Sequence, residues 1–113
     1  MNQQRQILFF KHYFLDFYRT NPEVVQFKIE WTLQLISELD RIPKQYFKHV
    51  ESTKGLYEIR VEVQGNTYRI FSFFDSENTI VIGNAYQKKN NKLSKKEINK
   101  ALSIMKEYRH EKK

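Results

Sequence analysis

A chain of 113 residues with 20 Lys and Arg, 13 Asp and Glu and no cysteine has room for one domain, 1–113, and excludes disulfides and thiolate chemistry. The formal charge of +7 favours polyanionic partners. Between Tyr86 and Lys113 ten basic residues stand against three acidic ones, so this local excess reads either as a surface for RNA, DNA or an acidic protein or as a solvated helix face.

The N-terminal apolar run is broken by Lys11 and His12, and nothing approaches the roughly 18 apolar residues of a membrane span. A soluble cytoplasmic protein with no membrane partner is expected. Gln6 to Phe10 has the length of a strand, and Tyr13 to Arg19 is an aromatic segment suited to a short helix that the turn signal Thr20-Asn21-Pro22 ends. Asn21 is the expected cap of the next helix and Pro22 its first residue. Val25, Ile29, Thr32, Ile36 and Leu39 form its main stripe, Val24, Phe27, Trp31 and Leu35 a second flank, and the helix should be buried over a wide arc. Pro43 is its expected stop, and Ile42 to Thr53 reads as a polar connection with Tyr46 and Phe47 packed under the helix.

From Tyr57 the period changes to two. Tyr57, Ile59, Val61 and Val63 alternate with Glu58, Arg60, Glu62 and Gln64, which is the pattern of a strand buried on one face. A two-residue turn at Gly65-Asn66 leads into a strand with Tyr68, Ile70, Ser72 and Phe74 on the apolar side and Arg69, Phe71 and Phe73 on the other. Asp75 to Asn78 turns into a third strand, Thr79 to Lys88. After the loop Asn90-Asn91-Lys92, Ser94 and Glu97 form a capping box for a helix with Ile98, Ala101, Leu102, Met105 and Tyr108 in its apolar stripe. The order argues α+β, with a small antiparallel sheet made of the N-terminal strand and a three-stranded meander and helices on one face.

Arg60 and Arg69 share a face of adjacent strands. They read either as forked donors for a phosphodiester or as ion-pair partners, with Glu62 opposite Arg69 and Glu58 beside Arg60. Lys88 and Lys89, with Lys92, Lys95 and Lys96, read as phosphate ligands or as a solvated loop. Tyr86 alternates onto the face of Ile80 and Ile82, as a packing residue or as a stacking or hydroxyl group at a reacting phosphate. Phe71 and Phe73 either pack under a helix or offer a base platform. His12, His49 and His110 lack metal-site spacing. Only His49, just before the meander, is kept as a remote acid/base candidate.

The run GLYEIRVEVQGNTYRIFSFFD, followed by IVIGNAYQKKNNKLSKKEINKA, resembles the RelE/ParE superfamily of bacterial toxins, nearest its HigB-like branch, from about Tyr46 to Tyr108. The resemblance implies a RelE-like fold and a cytoplasmic type II toxin held by a cognate antitoxin, expected to be of helix-turn-helix type. It also implies cleavage of mRNA on the ribosome, with no metal or cofactor, by attack of a ribose 2′-OH on the adjacent phosphate. By position, Arg60 and Arg69 match the basic strand residues of the family's cleft, Lys88 and Lys89 the basic positions after the last strand, and Tyr86 the aromatic position before them. The HigB histidine at the end of the last strand is missing, which leaves the general base open among Glu58, Glu62, Tyr86 and a lysine. The ParE branch poisons DNA gyrase on the same fold, so a non-catalytic gyrase inhibitor or an inactive RNA-binding relative is the alternative.

Overall fold

A computed structural model describes residues 4–90 and 92–112. Asn91 of the expected loop and Lys113 of the basic tail lie outside the described residues. The elements are β1 (Gln6–Phe9), α1 (Tyr13–Arg19), α2 (Glu23–Glu38), β2 (Phe47–His49), β3 (Leu56–Val63), β4 (Asn66–Ser76), β5 (Thr79–Gln87) and α3 (Lys95–Lys112). The class is α+β. The sheet has five strands in the order β1-β5-β4-β3-β2 and is mixed rather than antiparallel, because β1 runs parallel to β5 while the other pairs are antiparallel. The fifth strand, β2, is cut from the segment expected to be a connection; three residues are too few to show a period.

Both faces of the sheet carry helices, not one. Phe14 of α1 and Val25, Ile29, Leu33 and Ile36 of α2 pack on Ile59, Val61, Val63, Tyr68, Ile70, Ile80 and Ile82. On the opposite face Ala101 of α3 packs with Leu56 and Phe71, and Met105 with Phe73 and Val81. Phe71 and Phe73 are therefore helix-packing residues, at 0% and 1% exposure.

The wide burial expected of α2 does not hold. Val25, Ile29, Thr32 and Ile36 of its main stripe are buried and Leu39, past the helix end, is half-buried, but Val24, Phe27 and Trp31 remain 47%, 71% and 41% exposed, because little among the described residues lies over that flank. Trp31 is covered only in part, by Lys28, whose ammonium sits 4.0 Å from the ring centroid, and by the edge of Tyr46. Pro22 itself occupies the N-cap, while the Asn21 amide donates to Phe17 O of the preceding helix. The helix stops at Glu38, well before Pro43, where Leu39 turns extended. Its last turn has no basic residue, and Arg5 supplies the missing donors to the carbonyls of Ile36, Leu39 and Asp40.

The β3–β4 turn sits one residue earlier than expected. Gln64 and Gly65 carry positive φ of 51° and 83°, as both central residues of a type I′ turn must, and Val63 pairs with Asn66. The shift moves the pairing by two residues, so every side chain keeps its face while the partners change. In β5 the consequence of an irregularity is larger. Ile70 pairs with Ala85 but Ser72 with Ile82, so Gly83 and Asn84 together oppose Phe71, a β-bulge. The extra residue reverses the alternation after it. Tyr86 accordingly leaves the face of Ile80 and Ile82, where strict alternation put it, and packs against Phe71 under α3.

Candidate functional site

The corrected register sets Arg60 directly opposite Arg69. Two like charges at paired positions repel, and each is met by a carboxylate. Arg69 Nη1 lies 3.0 Å from Glu58 Oε2, and Arg60 Nε lies 3.0 Å from Glu62 Oε1. These are the reverse of the pairs expected from a Gly65-Asn66 turn, because Thr67 rather than Arg69 now stands across from Glu62, and Arg69, across from Arg60, reaches Glu58 instead. The two ion pairs differ in burial. Side-chain exposure is 7% for Arg69 and 10% for Glu58, against 40% for Arg60 and 64% for Glu62. Neither pair is aligned as a hydrogen bond, so the Nε donors of both arginines and Glu58 Oε2 are buried without an aligned partner.

Glu58, Arg60 and Arg69 line a cleft of about 390 Å³, with Lys44, Lys48, Glu51, Leu93 and Ile98 among its other walls. α3 covers the Phe71 and Phe73 end of this sheet face, and its first turn bounds the cleft instead of closing it. Four cations (Lys44, Lys48, Arg60 and Arg69) stand against two carboxylates (Glu51 and Glu58). A wall of this charge, partly withdrawn from water, attracts an anion more strongly than an exposed patch does.

Lys44 and Lys48 are the residues that sequence reasoning missed. Lys48 is the strand partner of Glu58, which turns it to the arginine face. The one available signal was the aromatic pair Tyr46-Phe47 before it. His49 borders the cleft but pairs with Tyr57; its ring meets the Tyr57 edge and its Nε2 donates to Thr53 O at 2.9 Å. Alternation thus turns it away from the face that carries Lys48.

The remaining sequence-selected residues do not line this cleft. Tyr86 is the strand partner of Arg69, yet its hydroxyl accepts the Ser94 N–H at 3.2 Å, and the residue lines a neighbouring cavity together with Lys89 and Lys92. Lys88 donates its backbone N–H to Thr67 O, extending the β4–β5 ladder. Lys95 and Lys96 are exposed in the first turn of α3. Only half of the expected capping box forms. Ser94 Oγ accepts the Glu97 N–H, but the Glu97 carboxylate accepts instead from Asn84 Nδ2 at 3.0 Å, and this ties the bulge of β5 to the start of α3.

No curated protein matches the chain. The family described as "Phage derived protein Gp49-like (DUF891)" matches residues 16–106, a span that includes every residue of the cleft. The chain belongs to this Gp49-like family, a toxin-type family of toxin–antitoxin systems.

Proposed function

We propose that the protein is the toxin of a type II toxin–antitoxin pair, of the HigB-like branch, and that it cleaves mRNA on the translating ribosome. The observation that carries this reading is the directly opposed pair Arg60 and Arg69, both of which line a cationic cleft. A phosphodiester between the arginines removes the cost of holding like charges together and accepts both forks. In the reaction the ribose 2′-O attacks the adjacent phosphorus, the P–O5′ bond breaks, and the products are a 2′,3′-cyclic phosphate and a free 5′-hydroxyl. The need for a 2′-OH restricts the chemistry to RNA.

Arg60, Arg69 and Lys48 offset the charge that builds on the non-bridging oxygens, which is the largest expected contribution. Glu58 takes the 2′-OH proton once the phosphate has displaced it from Arg69, and the Lys48 ammonium returns a proton to the leaving 5′-oxygen. Glu62 is the weaker base candidate because it is exposed and paired on the outer side of Arg60. The Tyr86 hydroxyl is engaged by Ser94 and lies outside the cleft, so it takes no part in the proton transfers.

Primer extension on cellular mRNA after induction tests the assignment. Breaks in register with codons, lost in the Arg60→Ala variant, support it. Intact mRNA together with broken DNA points to gyrase poisoning on the same fold and sinks the endonuclease reading.

A further inference from the structure

One wall of the arginine cleft is made by Leu93 and Ile98, which stand at either end of the turn that opens α3. Within that turn Ser94 Oγ accepts the Glu97 N–H and Ser94 O the Ile98 N–H. The sheet beneath holds it by two side chains of β5. The Tyr86 hydroxyl accepts the Ser94 N–H, and the amide of Asn84, buried at 1% exposure, donates from Nδ2 to Glu97 O at 3.1 Å and to Glu97 Oε1 at 3.0 Å. An NH2 group has two hydrogens and no charge, so one asparagine serves a carbonyl and a carboxylate together. Asn84 Oδ1 is buried without a partner, and the side chain therefore contributes through its donors.

We propose that Asn84 is a positioning residue for RNA cleavage: by fixing Glu97 it sets the distance between the Leu93 and Ile98 wall and the opposed arginines. This role rests on the RNA reading of the cleft and deepens it. Asn84 does not line the cleft and acts through the start of α3. The bulge is what makes the contact. Strict alternation would place Asn84 on the face of Ile80 and Ile82, whereas the pairing of Gly83 and Asn84 against the single Phe71 turns its amide to α3. The other end of the helix is anchored separately, by Lys11 to Glu107 and Lys112 to Asp75, so loss of the Asn84 tie frees the end that bounds the cleft. Arg60, Arg69 and Lys48 stand on strands and keep their places. Misplacement by about 1 Å around a reacting group costs about 100-fold in rate, and with the charged ligands unmoved the loss falls on kcat rather than on KM.

The test measures cleavage of mRNA on programmed ribosomes by the full-length chain and by Asn84→Asp, as a ratio of the two at each pH from about 8 down to about 5.5. The introduced carboxyl has one proton to donate when neutral and none when ionised. Burial and the facing Glu97 carboxylate raise its pKa, while Arg69, across from Tyr86 two residues along β5, is already paired with Glu58. The ratio of kcat should be lowered roughly 10- to 100-fold near pH 8 and climb as the pH falls, with KM within about threefold. Adding Glu97→Gln offers a donor to the ionised carboxyl, which should restore most of the rate at pH 8 and flatten the profile. Trp31 fluorescence gives the folded fraction of each variant. Should Asn84→Asp not fold, Glu97→Ala removes one of the two bonds from a half-buried site and should lower kcat in the same sense. Full activity of the folded variants at every pH, a loss that Glu97→Gln does not relieve, or rates that follow the folded fraction alone overturns the positioning role and leaves the cleft standing. If the wild-type chain leaves the mRNA intact, the RNA reading fails and the role fails with it.

Discussion

Arg60 and Arg69 look equivalent as residues of alternating strands, but removing them should cost very different amounts of stability. Arg69→Ala leaves the Glu58 carboxylate, 8% exposed, without the guanidinium 3.0 Å away. Breaking a buried pair from one side costs about 3–5 kcal/mol, because an uncompensated charge is left inside. Arg60→Ala breaks a pair whose partner is 64% exposed and simply returns Glu62 to water, which costs about 0–1 kcal/mol. Against a total of about 5–15 kcal/mol for a domain of this kind, the first change removes a large share of the stability and the second almost none. Urea denaturation followed by Trp31 fluorescence measures both. The double variant Arg69→Met with Glu58→Gln should recover most of the loss, since it removes the stranded charge. Equal costs for the two single variants, or no recovery in the double, would refute the burial asymmetry. The comparison also bears on function, because lost toxicity in Arg69→Ala mixes unfolding with lost chemistry, whereas lost toxicity in Arg60→Ala reports on chemistry alone.

The exposed flank of α2 makes Phe27→Lys nearly neutral, within about 0.5 kcal/mol, while Ile29→Ala two residues on should cost about 2–5 kcal/mol; thermal melts of the two variants check this. Arg5→Ala strips the carbonyl end of α2 of its side-chain donors and should cost about 1–3 kcal/mol, with hydrogen exchange accelerated at Ser37 and Glu38 rather than at the N-terminal half of the helix. The ends of the molecule are clamped by Lys11 to Glu107 and by Lys112 to Asp75. Hydrogen bonds from Lys112 and from Lys11 hold the Asp75 and Glu107 carboxyls below their ordinary values. A carboxylate whose folded pKa is depressed stabilises the fold above its unfolded pKa and loses that contribution as pH falls through the folded one. The clamps should therefore be intact at neutral pH and weaken below about pH 4, seen as loosening of α3 in proton-resolved NMR before the sheet melts; a C-terminal helix that stays fixed as the sheet melts would contradict this.

The meander was readable because its two faces differ so sharply. Val61 and Val63 against Arg60 and Glu62 leave one orientation in which the apolar set is inside, and even a displaced turn preserved it, since the pairing moved by two residues. What could not be read was the bulge. Gly83 and Asn84 look like any strand residues, and their pairing against a single Phe71 depends on Asn84 finding Glu97 thirteen residues away. Tyr86 was assigned to the wrong face for that reason. Lys48 was missed because β2 is too short to show alternation, and its place beside Glu58 is fixed only by the neighbouring strand. The stripe of α2 was legible, but apolar residues at helical spacing do not reveal whether anything lies over them, so Phe27 and Trp31 read as buried. Of the candidate site, Arg60, Arg69 and Glu58 came from the alternation, while the cleft that gathers them depends on where α3 begins.

Whether the arginine cleft breaks RNA is decided by end-group analysis of mRNA cut by the purified chain on programmed ribosomes. 2′,3′-Cyclic phosphate and 5′-hydroxyl ends are expected at defined codon positions, and they should be absent with Arg60→Ala, which should remain folded. Cleavage that persists in that variant, ends bearing a 5′-phosphate, or no cleavage by the wild-type chain would contradict it.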